Sequence, residues 1–254
     1  TAKGERNAVI GSSGGSITEG SRAFVAASNN SHIKGNSVSR SILSSESITL
    51  EEPYTVAGGY QTINWLLDSL HGNGTFAGSV RSSLPCGYGE YFESENGQLI
   101  DTGTIVALRG EKIAPAQERD DMLGVVSETA AFISGESSFT WQNRYLTNEF
   151  GGLIYEEKMD EETGELIRVP KQNPHFQEVL EESYLSRAAR NEWHVVGLLG
   201  RHYVRIDSTV RQGDYVKALN GIGTRASEGS WKVMKITAPY NPQNGYGIAL
   251  AMIK

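Results

Sequence analysis

Two carboxylates, Glu90 and Glu93, stand three residues apart in Gly87-Tyr88-Gly89-Glu90-Tyr91-Phe92-Glu93, directly behind Ser82-Ser83-Leu84-Pro85-Cys86. Hydroxyls and thiols become nucleophiles once a base takes their proton. Two carboxylates whose pKa values are held apart can divide the work of peptide cleavage. One accepts a proton from the attacking atom and the other donates one to the leaving amine. Self-cleavage is therefore the chemistry this run could carry, with Glu90, Glu93, Ser83 and Cys86 as its candidate residues. Spacing works against a simple dyad, because residues three apart on a strand point to opposite faces. The plain alternative is a loop entering a strand.

Elsewhere the sequence offers less chemistry. His32, His71, His175, His194 and His202 show no metal-ligand spacing, and a zinc site needs four ligands, or three and a water. No phosphate-binding glycine loop and no Gly-x-Ser-x-Gly turn is present. The acidic stretch Glu156, Glu157, Asp160, Glu161, Glu162 reads as a solvated hairpin tip. No cofactor is expected. The net charge of −7 carries no basic stripe, which argues against a nucleic-acid partner. No apolar run approaches the roughly 18 residues of a membrane helix, so no membrane insertion is expected. A single cysteine excludes an intrachain disulfide framework. The chain of 254 residues opens on Thr1 without Met, as an excised fragment or processed product would.

The elements that must position the junction differ on its two sides. Over residues 7–50, Ala8-Val9-Ile10-Gly11-Ser12-Ser13 is echoed by Ala23-Phe24-Val25-Ala26-Ala27-Ser28, and a shorter copy runs from Ser41-Ile42-Leu43-Ser44 to Ile48. Each unit reads as two short strands separated by Ser/Gly/Asn turns. Two or three apolar residues per rung are too few to bury themselves in one chain, so the expectation is stacked rungs sharing a core across chains. The alternative is a disordered Ser/Gly linker. Thr62 to Leu70 reads as a short helix or a bulged strand. From residue 86 strands dominate, with a long hairpin from Leu153–Glu156 to Leu166–Val169 and one helix candidate, His175–Ala189, where Phe176, Val179, Leu180, Tyr184 and Leu185 recur at helical spacing. Gly103-Thr104-Ile105-Val106 with Lys112-Ile113-Ala114 is echoed by Gly213-Asp214-Tyr215-Val216 with Ile222-Gly223-Thr224. That echo is either two similar β-units packed as a barrel or sandwich, or a coincidence between ordinary hairpins.

From about Leu67 onward the chain resembles the C-terminal self-cleaving domain of phage tail spikes and of pre-neck appendage proteins of Bacillus phages. The resemblance rests on Asp68-Ser69-Leu70-His71-Gly72-Asn73-Gly74-Thr75-Phe76-Ala77-Gly78, on Tyr88-Gly89-Glu90-Tyr91-Phe92-Glu93 and on Leu123-Gly124-Val125-Val126-Ser127. It continues in Leu198-Leu199-Gly200-Arg201-His202-Tyr203-Val204-Arg205 and Gly245-Tyr246-Gly247-Ile248-Ala249-Leu250. It implies a glutamic-type autopeptidase that acts as an intramolecular chaperone. Family members carry Asp-Tyr-Ala-Glu-Tyr-Phe-Glu at the junction, and the Asp and first Glu are the implied catalytic pair. Here Glu90 matches that Glu, Gly87 stands where the Asp is expected, and Cys86 where a serine often stands. One proton-transfer role is then unfilled, unless Glu93 or a neighbouring chain fills it.

The expected fold is mainly β: a trimeric β-roll or β-prism stalk (1–50), a connector with the cleavage region (51–85), and a barrel- or sandwich-like chaperone and autopeptidase domain (86–254) with one or two short helices. The expected function is to drive homotrimerisation of a phage appendage stalk and then leave by autoproteolysis between Ser82 and Gly87. The expected location is the virion tail or appendage, assembled in the host cytoplasm. The alternative is a non-catalytic trimeric tip that binds host cell-wall glycan through Trp141, Tyr155 and Trp193.

Overall fold

The computed structural model describes residues 2, 6–18, 22–34, 39–83, 87–136, 143–161, 164, 166–176 and 185–254. The fold is almost entirely β. The chain divides into two compact units, one formed by Thr1–Arg81 with Asn143–Phe176 and the other by Ser82–Gln142 with Gln177–Lys254.

The first unit is a coil of rungs. Strands β1 (Ala8–Ile10), β3 (Phe24–Ala26), β5 (Ser41–Leu43) and β7 (Thr55–Tyr60) stack in parallel, while β2 (Ser16–Ile17), β4 (His32–Ile33) and β6 (Thr49–Leu50) form a second parallel sheet. Register runs Val9 to Val25 to Ile42 to Ala57 on one side and Ile17 to Ile33 to Leu50 on the other. The Ile17, Val25, Ile33, Ile42, Leu50 and Ala57 side chains are fully buried within this one chain. The expectation that the rungs need neighbouring chains to bury their apolar residues is thereby corrected. Two facing sheets bring successive rungs' aliphatic residues into one column, so each rung's few apolar side chains add to a continuous core.

The serines are structural. The Ser28 N–H donates to Ser12 Oγ, Ser45 N–H to Ser28 Oγ and Gly59 N–H to Ser45 Oγ, at 3.2, 3.2 and 3.0 Å. Each hydroxyl satisfies a backbone donor of the next rung where the corner breaks the strand ladder. The corner residues before them, Gly11, Ala27 and Ser44, all have positive φ. Ala27 is held there although left-handed backbone costs an L-residue about 1–2 kcal/mol.

Thr62–Leu70, open between helix and strand in sequence, supplies strand β8 (Thr62–Asp68), antiparallel to β7 and to β9 (Asn73–Phe76). The register skips Asn64 of β8, opposite the Gly58–Gly59 step of β7, so the segment is the bulged strand of the two alternatives. The long hairpin is β15 (Tyr155–Met159) with β16 (Leu166–Pro170), paired Tyr155 to Pro170. Leu153 instead bridges Thr147. The hairpin is pinned by His71, whose Nδ1 lies 2.6 Å from Asp68 Oδ2 and whose Nε2 lies 2.8 Å from the Arg168 carbonyl. The Asp68 hydrogen bond raises the His71 pKa, against burial that lowers it. Burial pushes the Asp68 carboxyl up, but hydrogen bonds from His71 and from the Leu70 N–H outweigh it and hold it below the usual range. The centre of the helix candidate, 177–184, lies outside the described residues. Its C-terminal end is a single 3-10 turn, Arg187–Ala189.

In the second unit β10 (Gly87–Glu93), β11 (Ile105–Arg109), β12 (Lys112–Pro115), β13 (Gly124–Val126) and β14 (Phe132–Ser134) precede β17 (Trp193–Ile206), β18 (Tyr215–Leu219), β19 (Ile222–Ala226), β20 (Lys232–Asn241) and β21 (Tyr246–Ile253). The order β17-β19-β18-β20-β21 closes on itself, because β21 pairs back with β17 from Gly200 to Ile206. This is the barrel alternative. Its core holds Val204, Ile206, Val216, Trp231, Val233, Ala249, Ala251 and Ile253. The echo in sequence is a pair of similar hairpins, β11–β12 and β18–β19, tied by the Ile105 N–H donating to the Gly221 carbonyl. Strand β17 runs for 14 residues from Trp193 to Ile206, with Gly200 at φ 104 near its middle.

Candidate functional site

Strand β10 lies between two partners: antiparallel to the first half of β17, from Gly87 opposite Gly200 to Glu93 opposite Trp193, and parallel to β14. From Gly87 to Glu93 the junction run is therefore strand. Glu90 sits opposite Val196 on one side and Ser134 on the other, half-buried. Glu93 accepts a 2.8 Å ion pair from Lys112 of β12. The alternation of the strand keeps the two carboxylates on different faces, so the structure does not bring them together. Ser82 and Ser83 are exposed, and Cys86 lies outside the described residues.

The strand's first residue has an unusual neighbour. A Cβ on Gly87 would lie 2.2 Å from Nε2 and 2.3 Å from Cε1 of His202. A Cβ on Gly197 would lie 2.5 Å from the same ring. The imidazole is fully buried, in space that only glycines can leave open. Its Nε2 lies 3.0 Å from the Leu199 carbonyl and its Nδ1 3.0 Å from Ser127 Oγ, which also accepts the Thr129 N–H. Burial holds the His202 pKa below the ordinary imidazole range, against the raising effect of the Leu199 hydrogen bond. In the sequence His202 belongs to no metal-ligand spacing, so that pattern does not single it out. The available signal was the glycine at 87, where a side chain is expected.

Other candidates are engaged. The Trp193 face is covered by Arg187 at 3.9 Å and approached by Arg190 at 5.4 Å. The Tyr155 ring carries Arg168 at 4.6 Å, with His71 tilted against it at 5.9 Å. Trp141 lies outside the described residues. His194 is buried, which lowers its pKa, and its Nε2 lies 3.3 Å from the Ile100 N–H. Among the described residues no three His, Cys, Asp or Glu side chains cluster as a metal site would require, and no helix is long and apolar enough to cross a membrane.

Residues 39–254 match the Peptidase_G2 family, the IMC autoproteolytic cleavage domain. The chain is 73% identical over 227 residues to the putative phage-related protein YobO of Bacillus subtilis (strain 168), covering 89% of this chain and 28% of that protein. It is 45% identical over 202 residues to the pre-neck appendage protein of Bacillus phage phi29, covering 79% of this chain and 23% of that protein. It thus spans about a quarter of the length of these relatives. The crystal structure of pre-mature bacteriophage phi29 gene product 12 superposes with a TM-score of 0.90 at 41% identity, over 100% of this chain and 32% of that one. The C-terminal fragment of the same gene product superposes with a TM-score of 0.58 at 47% identity, over 66% of this chain and 99% of that one. With a match over most of its length, on a fold shared with the pre-mature protein, this chain belongs to the family of IMC autoproteolytic cleavage domains.

Proposed function

We propose that the chain is the self-cleaving intramolecular chaperone of a phage appendage, in which residues 1–50 end a stalk, 51–85 carry the cleavage region and 86–254 drive homotrimerisation. On this reading it is made in the host cytoplasm and the stalk goes on to the virion tail. The logic is kinetic. Each coil buries its own rung core, so what assembly must supply is the register between chains, whose ordering costs entropy before any contact rewards it. A globular domain that associates first sets the register. Its release by cleavage between Ser82 and Gly87, with Glu90 as the proton acceptor of a glutamic-type reaction, removes the easy path back, and the stalk becomes kinetically stable.

The observation that carries this reading is the fold match to pre-mature gene product 12 over the whole chain, on both sides of the junction. The test is mass spectrometry and gel filtration of freshly made full-length protein. Time-dependent appearance of two fragments that meet between residues 82 and 87, from a trimeric precursor, is expected. A single intact species over days defeats self-cleavage, and a monomeric precursor defeats the chaperone role.

A further inference from the structure

Resting on the homotrimer of that reading, a further question is which surface of the second unit meets a neighbouring copy. On β10, Tyr88 has Phe132 of β14 as its register partner on one side and Leu199 of β17 on the other. Residues opposite one another in a ladder share a face, with side chains about 5 Å apart. The row points away from the His202 ring, which packs against the neighbouring Gly87. Further along β17, Arg201 and Tyr203 alternate with buried His202 and Val204, so the outward face continues past the row.

This face is apolar and uncovered. Phe132 is 50% exposed, Tyr88 40%, Leu199 56% and Tyr203 37%. An aromatic side chain has about 150–250 Å² to bury, so the four leave roughly 350 Å² of largely apolar surface in water. The largest apolar patch of an ordinary monomer is about 300–600 Å² and often functional. A stable contact covers about 800 Å² per partner, as an apolar centre with a polar rim. The patch is the right size for such a centre.

The ends of the row carry opposite charge. Glu90 follows Tyr88 by two residues on β10, and Arg201 follows Leu199 by two on β17. The strands are antiparallel, so the two steps lead to opposite ends of the same face. Among the described residues neither side chain has a hydrogen bond or an ion pair. A neighbour arranged head to tail sets the Glu90 end of one row against the Arg201 end of the next. Contacts of that kind close into rings, and like charges brought together disfavour the reversed arrangement.

We propose that the outward face of β14, β10 and β17, built on Phe132, Tyr88, Leu199 and Tyr203, is where a second copy of this chain docks, with Glu90 of one copy facing Arg201 of the next. Docking there also covers Glu90, which lies half-buried and open on that side in a lone chain.

The test uses the freshly made full-length chain. Hydroxyl-radical footprinting of the assembled protein, read by mass spectrometry, compares three leucines that a single chain exposes to similar extents: Leu199 at 56%, Leu108 at 47% and Leu219 at 44%. Leu199 should be oxidised several-fold less than the other two. In sedimentation, Leu199→Asp and Arg201→Glu should each raise the concentration needed for assembly by about tenfold or more. Adding Glu90→Lys to Arg201→Glu should restore assembly, because the charges are again opposite. An assembled protein in which Leu199 reacts as freely as Leu108 and Leu219 overturns the proposal, and this arm needs no variant to fold. So does a folded Leu199→Asp chain that assembles as tightly as wild type, or a double variant that assembles no better than Arg201→Glu. A monomeric wild type removes the homotrimer reading and this proposal together, whereas a trimeric wild type with an open Leu199 removes only this one.

Discussion

The tightest steric statement in the second unit is that Gly87 and the His202 ring exclude a side chain at 87, and Gly87→Ala tests it. The new methyl would stand 2.2 Å from Nε2 and 2.3 Å from Cε1, with the Leu199 carbonyl at 3.1 Å. Ordinary contact begins near 3.4 Å, so the ring must shift by more than an ångström. Gly197 marks the other side of its slot, and both ring nitrogens are hydrogen-bonded, so the shift breaks what holds the ring. Overpacking a filled core costs about 1–3 kcal/mol. Leaving a buried polar group unpaired adds about 1–3 kcal/mol. Together Gly87→Ala should destabilise the second unit by about 2–6 kcal/mol. His202→Ala alone should cost about 2–4 kcal/mol, through the cavity and the freed Leu199 and Ser127 groups. In the double variant the methyl enters the vacated slot, so the effects should fall short of their sum by about 2 kcal/mol or more. Urea unfolding followed by tryptophan fluorescence, run as a double-mutant cycle, measures this. Additivity within about 0.5 kcal/mol would refute the steric argument. The same geometry means that Gly87→Asp alone will not install a working carboxylate: it needs His202→Ala beside it.

Other outcomes follow from single contacts. The His71–Asp68 contact has a defined pH window: the stabilisation from raised His71 is present below its unfolded pKa and lost as pH rises through the folded one, and that from lowered Asp68 is present above its unfolded pKa and lost as pH falls through the folded one. Amide exchange in β16, corrected for intrinsic rate, should therefore quicken at both ends of that window in the wild type but not in His71→Ala. Ser28→Ala leaves the buried Ser45 N–H without its acceptor and should cost about 1–3 kcal/mol, read as lowered thermal stability of the first unit. Gly124→Ala places a Cβ 2.5 Å from the Gly197 carbonyl oxygen, a backbone atom that cannot turn aside, and soluble yield of the chain should collapse while Gly78→Ser, with open space around it and no positive φ, leaves yield unchanged.

Much of the architecture is written locally. The apolar points spaced through residues 7–50 identify rungs, because a strand that buries one face needs an aliphatic residue at each pass. Turn glycines delimit the hairpins β11–β12 and β18–β19 for the same kind of reason: Asn220 and Gly221 both have positive φ, which few residue types accept without strain. The opposite faces of Glu90 and Glu93 follow from strand period alone. Burial of the rungs within one chain was not legible, since the sequence shows how many apolar residues each rung has but not that two sheets face each other. Thr62–Asp68 also stayed open, because its apolar residues satisfy a helix or a bulged strand until β7 and β9 supply hydrogen-bond partners on both sides.

The junction divides in the same way. Its composition and its likeness to a self-cleaving family were determined by the run from Ser82 to Glu93 itself, since residue type and short-range spacing are carried by the chain. What stands against Gly87 was decided only in three dimensions. His202 reaches it because β17 runs unbroken past β10 and on into the barrel, and Gly197 and Gly200 on that strand leave the ring room to lie there. No periodicity links positions so far apart in the chain; close packing does, and it leaves a mark in the sequence only as an absence, the side chain that Gly87 lacks.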